Sequence, residues 1–395
     1  MPGGGRLNPG DTLRVLFVAD TPFAPVIAGD AARLARLVDL FRDHGWAVDF
    51  ALFDDPQRRA DDAAMRRACD HLEICRGSPE EHALRQGPHL DDWCVPRFAK
   101  TVADMVAERR PDVLWAHFVY HSRVLLGPSN ACRPVTVIDA DNVFTGRREG
   151  IERAGVAYDW FSTTAAEELR GLRRADLVVA IHEGEAATYR AADALLDVVV
   201  VPYAPPLRLL PPASTKTLVF LGARNPENEA GLRDFVDNAW PIIRAANPDA
   251  VLRVVGSVGA ALMPGDGIVL EDYVANPAMI WADAAIGLNT TSVGTGLKIK
   301  SVDTLAHGRP LVSTTVGADG LEAFDGAVLI ADNAPTFART INALLSDPVL
   351  LATATAAAQG KAAALLDPER IFAPIERRLR AMVGARRAAE VTRRR

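Results

Sequence analysis

The sequence predicts an α/β chain of two similar halves, each a parallel sheet covered by helices, facing one another across a central cleft. Three observations predict it. Short β-branched runs alternate with helical patterns along most of the chain, as βαβ units require. A proline-dense stretch interrupts the alternation midway, Pro202-Tyr203-Ala204-Pro205-Pro206 and then Pro211-Pro212-Ala213-Ser214, too stiff for a helix or a central strand. With 395 residues and 49% hydrophobic content, the chain can bury two cores.

The elements follow in order. Residues 1–12 are glycine-rich and read as a disordered lead-in. A first domain, 13–208, carries predicted strands at 14–19, 47–52, 113–116, 135–139, 177–181 and 198–201. Between the first two lies a helix that Asp30 is placed to cap. Its Leu34, Leu37, Val38 and Phe41 form an i, i+3, i+4, i+7 stripe, and His44-Gly45 ends it. A second domain, 209–368, restarts the series with a strand at 217–221. A helix carrying Leu232, Phe235, Val236, Ala239 and Ile243 comes next, then strands at 251–255, 267–270, 284–288 and 310–313. Two Rossmann-like halves so joined leave a cleft between the carboxyl ends of both sheets, so the loops after the strands are where chemistry belongs. The segment 369–395 holds nine arginines against three acidic residues, with Ile371, Phe372, Ile375 and Leu379 as an amphipathic stripe. It reads as a basic amphipathic helix whose face rests on anionic lipid at about 1 kcal/mol per arginine, or as a frayed tail.

A net charge of −6 and a pI near 5.8 argue against nucleic acid as a main partner. Cys69, Cys75, Cys94 and Cys132 lack zinc-like spacing and read as reduced thiols. No apolar run approaches the ~20 residues a bilayer demands. Residues 13–19, followed at once by Asp20 and Pro22, look like a first strand rather than a secretory signal. A cytoplasmic protein is expected, in contact at most with the inner face of the membrane.

The chemistry concentrates in Gly294–Gly308, GTGLKIKSVDTLAHG. The turn Gly294-Thr295-Gly296 lets backbone N–H groups approach a ligand, and a following helix adds the positive end of its dipole. Lys298 and Lys300 stand where that dipole disfavours cations, which makes sense if an external anion such as a diphosphate outweighs the repulsion. Asp303, three residues beyond Lys300, shares its helix face and is expected to point at the same ligand. The alternative is a solvated helix start with a local Lys300–Asp303 pair. The segment is not a Walker loop, and no Gly-x-Gly-x-x-Gly follows the first strand.

Here the chain resembles the group-1 glycosyltransferases, the retaining GT-B enzymes of family 4, whose signature reads roughly GGTRLKILEALAMGRPVVST. Asn225-Pro226-Glu227-Asn228 upstream, and Gly308-Arg309-Pro310-Leu311-Val312-Ser313-Thr314 and Val316-Gly317-Ala318-Asp319-Gly320-Leu321 downstream, continue the likeness. It is close over about a third of the chain and holds in outline elsewhere. The resemblance implies a GT-B fold, a nucleotide-diphosphate sugar as donor, no cofactor and no metal. It puts Lys298 and Lys300 against the donor diphosphate and Asp303 in place of the glutamate that holds the ribose. Thr295 stands where many relatives carry a second glutamate, and Asp141 where they carry a histidine that touches the transferred sugar. Tyr273 and Val274, after the strand at 267–270, match the position that meets the nucleotide base, although both also suit core packing. Gly29 falls where relatives have a glycine-rich turn against donor or acceptor, and the likeness implies that the last helix, 369–395, packs back on the first domain.

The other candidates are less sharply marked. Gly29 and Asp30 read equally well as a turn with an N-cap. Asp139 and Asp141 alternate at a strand end, so they share a side and suit sugar hydroxyls or developing positive charge, or the capping of the next helix. His117 and His121 flank Tyr120 at a cleft rim and suit acceptor contact or plain structure, since His-x-x-x-His without a nearby glutamate is weak as a metal site. His182 reads as a helix-start residue and His307 as a helix-end one. The function these point to is a retaining glycosyltransferase moving a sugar to a saccharide, lipid-linked or other hydroxyl acceptor, with Lys300, Lys298 and Asp141 at the reacting centre. A nucleotide-sugar epimerase and a non-catalytic nucleotide-sugar-binding subunit are the alternatives.

Overall fold

The computed structural model describes residues 12–54, 60–85, 89–127, 133–274 and 278–393. The lead-in up to residue 11 and Cys132 lie outside the described residues. Strands β1 (Arg14–Ala19), β2 (Ala47–Asp54), β3 (His71–Arg76), β4 (Val113–His117), β5 (Val135–Asp139), β6 (Leu177–Ala180) and β7 (Val198–Val200) form one sheet. Strands β8 (Thr217–Leu221), β9 (Val251–Val255), β10 (Ile268–Glu271), β11 (Ala284–Asn289), β12 (Leu311–Ser313) and β13 (Val328–Ile330) form a second. Their orders are β3-β2-β1-β4-β5-β6-β7 and β10-β9-β8-β11-β12-β13, every pairing parallel. Both sheets therefore reverse direction beside their first strand, between β1 and β4 and between β8 and β11. The loops leaving these strands are where ligands settle in such folds.

Side chains of β1 alternate strictly. Val15, Phe17 and Ala19 enter one core with Leu34, Leu37, Val38 and Phe41 of helix Gly29–Asp43, while Leu16 and Val18 enter another with Phe98, Val102 and Met105 of helix Pro96–Arg109. The first core is completed by the far end of the chain. Phe372, Ile375, Leu379 and Val383 of helix Pro368–Arg393 lie in it, with Phe372 edge-on to Phe41 at 4.9 Å. Three of its basic residues are occupied on the same domain: Arg378 pairs with Asp197, Arg386 with Asp176 and Arg387 with Asp112.

Several local expectations change. Strands β3 and β13 are absent from the sequence reading, because β3 carries Glu73 and Arg76 on a sheet edge and β13 has only three residues. Asp30 does not cap its helix: Ala28 occupies that position, and Asp30, already inside the first turn, accepts from its neighbour Ala31 N at 2.9 Å and from Thr21 Oγ1 at 2.9 Å. The helix after β8 runs as Pro226–Asp234, then a π-turn at Phe235–Ala239, then Trp240–Ala246. The wider turn accommodates Pro241, which lacks an N–H to give to the preceding turn. Pro348–Thr392 includes an 18-residue window with a mean hydropathy of 1.4, long and apolar enough by composition to cross a bilayer, so the expectation that no run approaches that length was too strict. In the fold, Ala354, Ala358 and Ala362 of this stretch are buried on the second domain.

An apolar seam joins the domains. Ala32 and Ile181 of the first, Tyr203 of the connection and Leu297, Val302 and Leu305 of the second share one buried cluster.

Candidate active site

Strand β11 ends at Asn289, and the chain then turns through Gly294 (φ 100°) and Gly296 (φ 81°) into helix Ile299–Ala306. The positive φ values explain both glycines, since side chains rarely adopt that backbone. The turn is anchored from beneath. Asn289 Nδ2 donates to Ser301 Oγ at 2.8 Å and to Gly317 O at 3.0 Å, tying strand end, helix start and the Gly317 loop together.

Lys298 is the N-cap residue, and its Nζ donates back to Thr295 O at 2.9 Å and Gly296 O at 2.8 Å. Lys300 Nζ reaches Asn228 Oδ1 at 2.5 Å and Thr291 Oγ1 at 3.1 Å, and lies 4.4 Å from the centroid of the Phe220 ring. These partners are neutral. Burial, with repulsion from Arg147 next in weight, pushes the Lys298 ammonium down to about 8. Burial and then Lys298 push Lys300 down to about 7. Two half-buried cations without a bonded carboxylate are costly unless something anionic completes them.

Asp303 does not share their partner. Its carboxyl is hydrogen-bonded to Tyr203 of the interdomain connection, and burial raises it to about 7. Lys300 is thus braced by the second domain and Asp303 by the connection.

Helix Gly29–Asp43 starts against this point. A Cβ built on Gly29 would lie 3.1 Å from Ile299 Cγ1, so two helix starts, one from each domain, converge on the cleft. The loop after β5 arrives from the same side. Asp141 takes a left-handed backbone (φ 56°), and a Cβ on Gly296 would meet Asn142 Oδ1 at 2.5 Å and Asp141 O at 3.0 Å. Thr295 Oγ1 donates to Val143 O at 3.0 Å.

Beneath that loop is a buried charge cluster. Arg33 donates to both oxygens of Asp139, at 2.6 Å from Nη2 and 3.0 Å from Nε, and to Val201 O. Asp141 Oδ1 is 3.7 Å from Arg33 Nε, and His117 Nδ1 is 3.4 Å from Asp139 Oδ2. Asp139 ends β5 and Asp141 lies beyond it in a left-handed turn, so the two are neighbours through Arg33 and His117 rather than by strand alternation. Burial pulls Asp139 upward, but Arg33 and His117 outweigh it and hold the carboxyl below its usual range. Burial prevails at Asp141 and raises it to about 6. Glu185, in the first turn of helix Glu183–Ala192, is raised to about 8 by burial and then by Asp141.

The remaining candidates are dispersed. His121 packs edge-on to Phe98 at 6.0 Å, bonds His117 O through Nδ1 at 2.6 Å, and is pushed down to about 4 by burial, so it belongs to the core rather than to a cleft wall. Tyr273 is exposed, and Val274 packs beside Trp281 and Ile280. His182 caps its helix by accepting from Gly184 N, with Asp319 of the second domain 3.7 Å from Nε2. His307 bonds Asp303 O at the helix end. Sequence reasoning missed Arg33, Arg147, Tyr203 and Glu185. Only Arg33 left a trace, as a charge four residues before Leu37 on an otherwise apolar stripe.

Residues 215–347 match the family model described as glycosyl transferases group 1. The match spans most of the second domain. Over almost the whole chain the fold is GT-B. It is similar to sucrose-phosphate synthase from Thermosynechococcus elongatus (TM-score 0.72, 14% identity, 94% of this chain and 100% of that one). HepE from Anabaena, solved with UDP and glucose, matches with a TM-score of 0.68 at 17% identity over 93% and 100%. TarM from S. aureus, as a variant with Fondaparinux, alpha-GlcNAc-glycerol and UDP, matches at 0.69 and 9% identity over 93% and 100%. Identities this low speak for the fold. No curated protein matches the chain by sequence.

Proposed function

We propose that the protein is a retaining glycosyltransferase that takes a nucleotide-diphosphate sugar and transfers the sugar to a hydroxyl acceptor in polysaccharide or glycoconjugate assembly. The observation that carries this is the pair Lys298 and Lys300, half-buried at a helix start in the cleft and bonded only to neutral oxygens. A diphosphate lodged there returns charge to both ammonium groups and gains the helix dipole. When the bond from anomeric carbon to diphosphate oxygen breaks, the electron pair leaves with the diphosphate, whose growing charge these groups stabilise. The acceptor oxygen bonds the anomeric carbon from the same face, and its proton passes to a departing diphosphate oxygen. Asp141, fixed by its left-handed backbone beside Gly296, is assigned to the sugar side. The protein's own cations meet the leaving group in this scheme.

UDP in the HepE and TarM complexes makes UDP-sugars the first donors to try. Lys300→Ala should lower turnover by about two to three orders of magnitude with the fold intact, as loss of a leaving-group contact does. Wild-type turnover should persist in excess EDTA. Retained activity in Lys300→Ala sinks the scheme. Donor consumption without any acceptor would instead favour the epimerase reading, and binding without turnover a non-catalytic subunit.

A further inference from the structure

Arg147 is the one side chain of the first domain whose charged group grips the Gly294–Gly296 turn among the described residues. It is the first residue of helix Arg147–Arg153, entered through Gly146 at φ 75°. There the helix dipole disfavours a cation, just as it does at Lys298. From this position the guanidinium crosses the cleft. Nη1 donates to Thr295 Oγ1 at 2.8 Å, Thr295 O at 3.2 Å and Asn142 Oδ1 at 3.2 Å, and Nη2 to Glu227 Oε1 at 3.2 Å. The rings of Tyr158 and Trp160 lie 5.9 and 5.7 Å away. Nε is buried with no hydrogen-bond partner. Of all charges acting on Lys298, Arg147 is the strongest, and it is repulsive. Glu227 thus pairs with Arg147 and acts on Lys300, while Asp319 and Glu185 attract Lys298 more strongly than Glu227 does, and one guanidinium donor is unused. An arginine held between aromatic faces, with unspent donors beside two lysines, suits a phosphate in geometry as well as charge.

Resting on the donor reading above, we propose that Arg147 is a third cation of the diphosphate site, delivered across the cleft to the phosphate that bears the sugar, with Glu227 as its stand-in partner until the donor arrives. The phosphate next to the sugar is the one assigned because the breaking bond lies toward the first domain, which brings the acceptor and carries Arg147. Closure of the two domains then becomes linked to occupancy by a diphosphate, since only the closed cleft offers all three cations.

The test compares UDP with UMP, which differ by that phosphate, by titration calorimetry on the full chain, with GDP/GMP and dTDP/dTMP alongside. Arg147→Gln should weaken UDP about tenfold or more while leaving UMP within about twofold, the loss of one charge-assisted contact. Glu227→Gln, which removes the competing carboxylate, should tighten UDP severalfold. The inference is overturned if Arg147→Gln binds UDP like wild type, or if it loses UDP and UMP equally, the mark of a merely structural role. Should Arg147→Gln fail to fold, unchanged UDP affinity in Glu227→Gln overturns it alone. Wild type that prefers no diphosphate over its monophosphate removes the donor reading itself, a result separable from any variant's.

Discussion

At the scale of single residues, the two lysines work against the ligand-free protein. Lys300 titrates at about 7 in the fold against 10.5 ordinarily, so between those values the unfolded chain binds more protons and this group makes stability rise with pH. Its destabilising effect is therefore complete below pH 7 and fades toward pH 10. Lys300→Met should raise the melting temperature of the empty protein by about 2–4 °C at pH 6.5, with the gain vanishing near pH 10, while turnover is lost. No gain at pH 6.5 would mean that the ammonium is well solvated. For the wild type, donor KM should climb as pH rises through 7 to 8 and Lys300 and then Lys298 lose their protons. These two residues were legible in the sequence because a cation in a first turn is anomalous. Arg147 was equally misplaced, but its seven-residue helix lies in a stretch with no strong periodicity. Tyr203 was read only as part of a stiff connection, and its bond to Asp303 depends on how the domains dock.

Among the elements, helix Pro368–Arg393 stands apart, since it follows the second domain in sequence and completes the core of the first. Leu379 is fully buried between it and the first sheet. Leu379→Ala should cost about 2–5 kcal/mol, read as a lower urea midpoint for unfolding of the first domain. A change below about 0.5 kcal/mol would show the contact to be dispensable. The helix was legible from its stripe of Ile371, Phe372, Ile375 and Leu379. Its return to the first domain was expected only through the family resemblance, because an apolar stripe with arginines around it fits a lipid surface as well as a protein core; in the fold the stripe enters the first core. Central strands were read nearly to the residue, since β1, β5, β8 and β9 are rich in apolar and β-branched residues. The edge strands β3 and β13 escaped because an edge tolerates charge and brevity.

For the whole molecule, the domains meet in a closed arrangement, with Gly296 seated against Asn142 and Asp141 O. Gly296→Val adds a side chain at a left-handed φ where no space exists. It should hold the domains apart, enlarging the radius of gyration seen by small-angle scattering and lowering turnover about a hundredfold, the scale expected when reacting groups are misplaced by an ångström. Unchanged scattering would mean that the loops yield and the domains do not. Two-domain architecture was legible from the proline-dense connection, whereas the contact between loops 141–147 and 294–296 was not, because it joins segments that carry no common pattern.

The return of the last helix to the first domain has a mechanical consequence. The backbone passes from one lobe to the other twice, once through residues 202–212 and again at Leu366-Asp367. Two tethers side by side act like the two pins of a door. They leave swinging about the line through them free and resist twisting about any other axis, so Arg147 and the Lys298 turn are brought back to the same register on every cycle.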